Sequence, residues 1–402
     1  MAELTRELLM AGHLIDRSGM PHAISLFGRE GMADVAIKEW MAASPVYTKR
    51  MQRLLGFEGD TVETIFKGMQ WDIGAPHEFL DFRFTVIDDH HGTFHLDHCG
   101  ALMDVEPMGE DYVTAMCHDI EDPTFDATAI ASNPYAQVRP VHRPPRQPAD
   151  RNPHCEWTVT IVPEAEPLPI PAEAIQLGTT LGAQLPLPGP YASLPDTDGW
   201  NAYDAPMDPD LVTERFSSAA LARIMDELAL QGHLLSHAYL IQIAERAGGE
   251  QAAEVGVKQA VGIAGVTTKR LVRAFDIQPD LEGIAAVLAV HPLLLPRSYV
   301  STTVERRDGE LRVAFLPCPA SEEDDGLTWP ALLTHADGHR MIEVVAGCTA
   351  PQARVVVAPP AEGELAAWTI SIDPDGEPYA EPSEVLLTEF STGALFEFQR
   401  RG

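Results

Sequence analysis

The sequence predicts an α+β protein made of two tandem copies of one domain, in which helices precede a small antiparallel sheet. The first observation is a repeat: Gly12-His13-Leu14 recurs 220 positions later as Gly232-His233-Leu234. Further identities follow at the same offset, without a gap, as far as Pro76 and Pro296. The other two observations are a helical pattern in the first half of each copy and a strand pattern in the second. A period this long indicates domain duplication, because solenoid repeats are far shorter.

The helical half is clearest in the second copy. Its apolar residues fall at i, i+3, i+4 and i+7, which places them on one helix face: Leu221, Ile224, Met225 and Leu228. We expect the next helix to break at Pro45 and at its counterpart Gly265.

Strands follow the helices in each copy. Phe82, Phe84 and Val86 alternate with other residues, as in a strand with one buried face. A turn at 90–92 and its counterpart Arg307-Asp308-Gly309 predict a hairpin. A further strand, 157–161 in the first copy, closes each sheet.

These patterns divide the chain into three parts. Residues 1–163 form the first copy, and residues 211–402 form the second copy with a C-terminal extension after Pro374 that has no counterpart. Between them, 164–210 is rich in proline, acidic and free of lysine and arginine, which is typical of a linker. We expect a pseudo-twofold axis between the copies, as in a fused homodimer, and further self-association stays open.

Composition limits the classes of function. The 402 residues include 28 basic and 60 acidic side chains, for a net charge of −32. This balance argues against a nucleic-acid partner, which requires cations to neutralise phosphates. The sequence lacks an apolar stretch of membrane-spanning length and a signal-peptide pattern, so we expect no membrane association and a cytoplasmic location. In a reducing compartment the five cysteines are thiols or metal ligands.

The two copies differ in the residues that do chemistry. Ten of the 15 histidines precede residue 155, and the histidine-rich segment 90–98 has a counterpart without histidine. This asymmetry predicts that the first copy is active and the second degenerate. Three thiols and one imidazole suit tetrahedral zinc. The candidate ligands are Cys99, Cys117, Cys155 and His142, with His98 as second choice for the imidazole.

A different interpretation treats the cysteines as core residues, since free cysteine is commonly buried. Two cysteines of the second copy support this interpretation, Cys318 and Cys348, which we align with Cys99 and Cys117. That copy keeps these cysteines although it has lost the other candidate site residues. A catalytic Cys117 paired with His95 or His98 is a further alternative.

The cysteine segments resemble a known pattern. Cys99, Met116-Cys117, Arg143-Pro144-Pro145 and Cys155-Glu156-Trp157 are similar to the scattered cysteines of the 4-vinyl reductase domain family and the L-2-amino-thiazoline-4-carboxylic acid hydrolase-like family. The resemblance covers roughly 20–160 and, more weakly, 240–372. It implies helices followed by an antiparallel sheet, and a cysteine cluster associated with zinc or with the site. Arg143 stands where the pattern leads us to expect another cysteine.

The functional hypothesis is a zinc-dependent hydrolase of a small polar substrate. Glu156 would serve as general base near a metal-bound water, and His95 or His98 would move protons. The alternative is a small-molecule-binding or sensor module with a closed structural zinc or an iron–sulfur cluster. An open coordination position favours the enzyme, and four protein ligands favour the sensor.

Overall fold

The computed structural model describes residues 1–399 and contains two copies of the predicted α+β domain. The first copy has these helices and strands: α1 (Ala2–Leu55), α2 (Val62–Met69), β1 (Leu80–Asp88), β2 (His91–Cys99), α3 (Gly100–Val105), α4 (Glu110–Thr114), α5 (Glu121–Ile130), β3 (Ala136–His142) and β4 (Cys155–Ile161). Two short helices follow: α6 (Ala172–Leu177) and α7 (Leu181–Gln184).

The second copy repeats this order. Its elements are α8 (Ser218–Ala247), α9 (Gly249–Phe275), α10 (Leu281–Val290), β5 (Thr302–Arg307), β6 (Glu310–Phe315), α11 (Trp329–Leu332), α12 (His339–Thr349), β7 (Ala353–Ala358), β8 (Ala366–Ile372) and α13 (Ser383–Thr388). No helix within residues 1–399 has both the length and the apolar character needed to cross a membrane.

The two sheets have the same topology. Both are antiparallel, with strand orders β1-β2-β4-β3 and β5-β6-β8-β7. Equivalent residues face each other in both, since Phe94 pairs with Trp157 and Val313 pairs with Trp368. The duplicated α+β fold predicted from the repeat is therefore confirmed.

The long helices break at a glycine, not at the predicted position. Gly28 interrupts α1 with φ of 72°, and its counterpart Gly248 separates α8 from α9 with φ of 89°. Glycine adopts positive φ without the steric cost of a Cβ atom. Pro45 lies inside α1 and Gly265 inside α9, so the predicted break there is wrong. A side chain at Gly265 would collide with Val385. The glycine is therefore explained by the close packing of α9 against α13.

Reciprocal ion pairs define the pseudo-twofold relation between the copies. Arg50 in the first copy forms two hydrogen bonds of 2.8 and 2.7 Å with Glu227 in the second. The equivalent residues, Arg270 and Glu7, form bonds of 2.7 and 3.0 Å in the opposite direction. Each contact thus has a symmetric counterpart, which is the mark of a twofold interface.

The predicted linker and the predicted extension are also equivalent. Residues 171–185 and 382–396 each contain a helix that starts after a proline, then a short helical turn, at a common offset of 211. We call them the first and second strap. Residues 186–210 connect the copies and have no counterpart. The first copy therefore continues beyond its predicted end at residue 163, and the C-terminal extension has a counterpart in the first strap.

The straps are exchanged between the copies. The first strap crosses to the second copy, where the amides of Leu181 and Gly182 donate to Glu323 at 3.0 and 2.8 Å. The second strap crosses to the first copy, where the amide of Thr392 donates to Asp104 at 2.7 Å. Each copy is therefore closed by a segment of the other.

Candidate active site

The sheet of the first copy separates the predicted site residues into two groups. On its outer face His95 and His142 each pair with Glu156 across neighbouring strands. The His142 Nε2 lies 3.8 Å from a Glu156 carboxylate oxygen, and these side chains are partly exposed. The His98 ring, near the end of β2, is hydrogen bonded to the Phe79 carbonyl at 2.8 Å.

The three cysteines lie on the inner side. Cys99 ends β2, Cys117 lies in a π-helical turn at Ala115–Ile120, and Cys155 begins β4; all three are buried. Burial raises the pKa of each thiol, that of Cys99 to about 12, so all are protonated at neutral pH. The charge of Glu121 raises each of these pKa values further. The cysteines and Glu121 thus form one cluster, which we call the thiol cluster.

The structure does not bring His142 to this cluster. A β-bulge between Pro140 and His142 places His142 opposite Glu156 instead of Cys155. Because neighbouring strand residues point to opposite faces, the imidazole lies across the sheet from the thiols. Within the described chain, no group of three or more histidine, cysteine, aspartate or glutamate side chains is arranged to hold a metal ion.

The alignment of Cys348 with Cys117 is also corrected. Helices α5 and α12 end with equivalent hydrogen bonds, from Asn133 to Ala129 and from Ala350 to Ala346, an offset of 217. Cys348 therefore corresponds to Ala131, and Cys117 has Thr334 as counterpart. Of the thiol cluster, only Cys99 keeps a cysteine in the second copy, Cys318.

A chamber lined by apolar and ionisable side chains lies beside the thiol cluster, between α1, α5 and the sheet. Its volume is about 140 Å³, and Cys155 and Glu121 form part of its wall. Other residues around it carry ionisable or hydrogen-bonding groups: His13, Asp16, Arg17, Trp40, Ser44 and Asp72. The sequence analysis selected none of these.

Two carboxyls meet at one side of the chamber. Asp16 faces the chamber and accepts a 2.9 Å hydrogen bond from the Trp40 indole. Glu39 is fully buried behind it, and neither of its carboxyl oxygens has a hydrogen-bond partner within residues 1–399. Burial raises the pKa of both groups, and the Asp16 charge raises that of Glu39 further. The pair therefore retains a proton at pH values where isolated carboxyls are ionised.

A histidine and a second acid complete the chamber. His13 is 6% exposed, and neither ring nitrogen has a hydrogen-bond partner in the described part of the chain. Burial, reinforced by the Arg17 cation, lowers its pKa to about 3, so the ring is neutral. Asp72 accepts hydrogen bonds from the Tyr47 hydroxyl at 2.9 Å and the Gly74 amide at 2.7 Å. Burial raises its pKa to about 6.

The second copy lacks this set of acids. The counterparts of Asp16, Glu39 and Asp72 are Ser236, Gln259 and Pro292. His13 has a counterpart in His233, but that ring is hydrogen bonded to the Leu295 carbonyl at 2.8 Å. The repeat alignment could have revealed this difference, had the acids been compared as the histidines and cysteines were.

A wider cavity opens from the chamber. This antechamber has a volume of about 530 Å³ and shares Asp16, Arg17, Met116 and Ile120 with the chamber. Its opposite wall is the second strap, through Leu387, Phe390, Ser391 and Thr392. The site of the first copy is therefore completed by the second copy.

The fold and the chamber define a fused α+β pseudo-dimer with an acid-rich cavity in its first half. Comparisons with family models, curated proteins and solved structures find no match to this chain. The function is therefore argued from the chamber itself.

Proposed function

We propose that the first copy is an enzyme that uses general acid–base chemistry, in a hydrolysis of a small molecule held in the chamber. The observation that carries this proposal is the Asp16–Glu39 pair beside a neutral His13 with two unpartnered nitrogens. Buried, unpaired ionisable groups lower stability, and they are concentrated at functional sites.

The chemistry needs one group that both accepts and returns a proton. Asp16 takes a proton from water as the water oxygen bonds to the electrophilic carbon of the substrate. The same proton then passes to the leaving group as its bond to that carbon breaks. Glu39 is a positioning residue, because burial and the Asp16 charge keep Glu39 protonated and so leave the ionised form to Asp16. His13 can donate to, or accept from, the bound substrate.

The test uses substitutions that the second copy already contains. Asp16→Ser installs the residue found at Ser236, and Ser236→Ala in the second copy is the matched control. The substrates are 2-amino-thiazoline-4-carboxylic acid, which the family resemblance implies, and p-nitrophenyl esters of increasing chain length, with and without an amine at the end of the acyl chain. We expect Asp16→Ser to lower kcat/KM by about 10²- to 10⁴-fold and the control to leave it unchanged. Equal activity in parent and Asp16→Ser, or an inactive parent on every substrate, would contradict the proposal.

Zinc at the thiol cluster is a second candidate, favoured by the nearness of one carboxyl, Glu121, to three thiols whose pKa values it raises. Glu121 replaces His142 as the fourth donor in this version. The donor set suits zinc, but the side chains are not arranged as a coordination sphere, so the acid–base steps above do not use the metal.

Metal analysis of the purified chain tests this candidate. If zinc binds there, Cys155→Ala lowers the zinc content, whereas Cys348→Ala outside the cluster leaves it unchanged. A visible absorption band would indicate an iron–sulfur cluster instead. A parent protein without metal after purification in added zinc would exclude both versions.

A further inference from the structure

The antechamber wall is apolar and rich in methionine. Five of the 13 methionines of the chain line it: Met20, Met32, Met103, Met108 and Met116. Methionine side chains are flexible and polarisable, so such a wall adapts to apolar bodies of different shape. The wall therefore suits a class of ligands that share an apolar body.

At the open end of the antechamber, one aromatic side chain of the wall is exposed to water. Phe390 on the second strap is 84% exposed, although it lines the cavity. A bound apolar body would cover this ring and remove its surface from water.

Charge is confined to the inner end of the antechamber. Arg17 is the one cation that lines either cavity among the residues described, and its Nε lies 3.2 Å from Asp104. Beyond this neutralised pair, Asp16, Asp72 and Glu121 line the chamber with Glu39 behind them. One oxygen of Asp16 is buried without a hydrogen-bond partner in the described chain.

We propose that chamber and antechamber together bind a cationic amphiphile, a small molecule with a protonated amine head and an apolar body. The amine donates to the unpartnered oxygen of Asp16. The body extends along the methionines and under Phe390. Burial raises the pKa of Glu121 to about 8, so the repulsion of an anionic head comes from the ionised Asp16 and Asp72. This inference rests on the proposed function, because the bound amine compound is the class of substrate that the enzyme would hydrolyse.

Three ligands with one body and different heads test the charge preference. Binding of decylamine, decanol and decanoate to the full chain is measured by calorimetry at pH 7, below the solubility limit of decanol and the micelle concentrations of the two ionic ligands. We expect decylamine to bind at least about tenfold more tightly than the other two, as expected for one charge-assisted hydrogen bond. Equal affinities, or tighter binding of decanoate, would overturn the proposal.

Two variants separate the head from the body. Asp16→Asn keeps the shape of the side chain and should reduce decylamine binding to the level of decanol. Phe390→Ala should weaken all three ligands alike, while Leu395→Ala, at an exposed strap residue outside the antechamber wall, should change none. Retained amine preference in a folded Asp16→Asn variant, checked by circular dichroism, would refute the assignment of the head.

The outcomes also distinguish this inference from the proposed function. Amine preference that depends on Asp16 in a parent without hydrolytic activity would refute the enzyme and retain the ligand class. Hydrolysis that depends on Asp16 without amine preference would refute the ligand class alone.

Discussion

Removing the charge of Glu7 should destabilise the fused pseudo-dimer strongly. Glu7 and Arg270 are 7% and 2% exposed, and two hydrogen bonds of 2.7 and 3.0 Å join them across the copies. Glu7→Gln keeps the size of the side chain but leaves the Arg270 guanidinium without its counterion. The same guanidinium also donates to the Gly393 and Phe396 carbonyls of the second strap, at 2.6 and 2.9 Å.

The magnitude follows from burial. Breaking a buried ion pair by removing one partner costs about 3–5 kcal/mol, because the remaining charge stays away from water. The strap carbonyls solvate part of the Arg270 charge, so we expect the lower end, about 3 kcal/mol. Glu227→Gln, at the symmetric pair with Arg50, should cost a similar amount since its geometry is equivalent.

Urea unfolding of the full chain, followed by circular dichroism, measures the change in the free energy of unfolding. The control is Glu58→Gln, because Glu58 and Arg53 are 52% and 56% exposed and such pairs contribute only about 0–1 kcal/mol. Amide hydrogen exchange should also quicken in the second strap, which Arg270 holds. If Glu7→Gln is no more destabilising than Glu58→Gln, the reciprocal pairs do not hold the copies together.

Two further predictions concern the acids of the first copy. Asp104→Asn should speed protease cleavage within the second strap and cost about 1–3 kcal/mol, because Asp104 accepts from the Ser391 hydroxyl at 2.6 Å; unchanged cleavage would contradict this. The Asp72→Asn variant should become more stable relative to the parent as pH rises from 4 to 7. The gain in the free energy of unfolding is up to about 3 kcal/mol, because each unit of pKa difference corresponds to about 1.36 kcal/mol. The sign follows because folding raises the Asp72 pKa from 3.8 to about 6, so burial of the ionised form costs nothing at low pH and most above pH 6. Asparagine can still accept the hydrogen bonds from Tyr47 and Gly74. Urea unfolding at pH 4.5 and 7.5 measures the difference in the free energy of unfolding between variant and parent. This difference would be the same at both pH values if Asp72 did not titrate.

Local patterns in the sequence were sufficient for the fold class but not for the full sheet. Apolar spacing such as that of Leu221 to Leu228 depends on the helix itself, and the repeat predicted an antiparallel sheet in each copy. Three strands were predicted for each sheet and the structure has four, because β3 and its counterpart β7 were not recognised. The straps were missed because loops of unequal length separate them from the repeat. Their offset is 211 where that of the long helices is 220, so an ungapped comparison does not connect Leu181 with Thr392.

The site was harder to predict because it depends on register and depth. One inserted residue in β3 moves His142 from Cys155 to Glu156 and so to the other face of the sheet. Asp16 and Glu39 matter because their side chains are buried. Their spacing along the helix is ordinary and does not predict this burial. Their loss in the second copy was visible, but acids are common on helix surfaces and drew no notice beside the rarer histidines and cysteines.

The exchanged straps impose an order on biosynthesis. The last strand of the first sheet ends at Ile161, whereas the part of the antechamber wall that the second strap supplies begins at Leu387. At about 5–20 residues per second on the ribosome, roughly 10–45 s separate these two points of the chain. During this interval the second strap is not yet available to cover the methionine-lined wall of the first copy. A nonsense mutation or a stalled ribosome anywhere before the second strap would therefore leave this apolar surface exposed, and exposed apolar surface is what chaperones and proteases recognise.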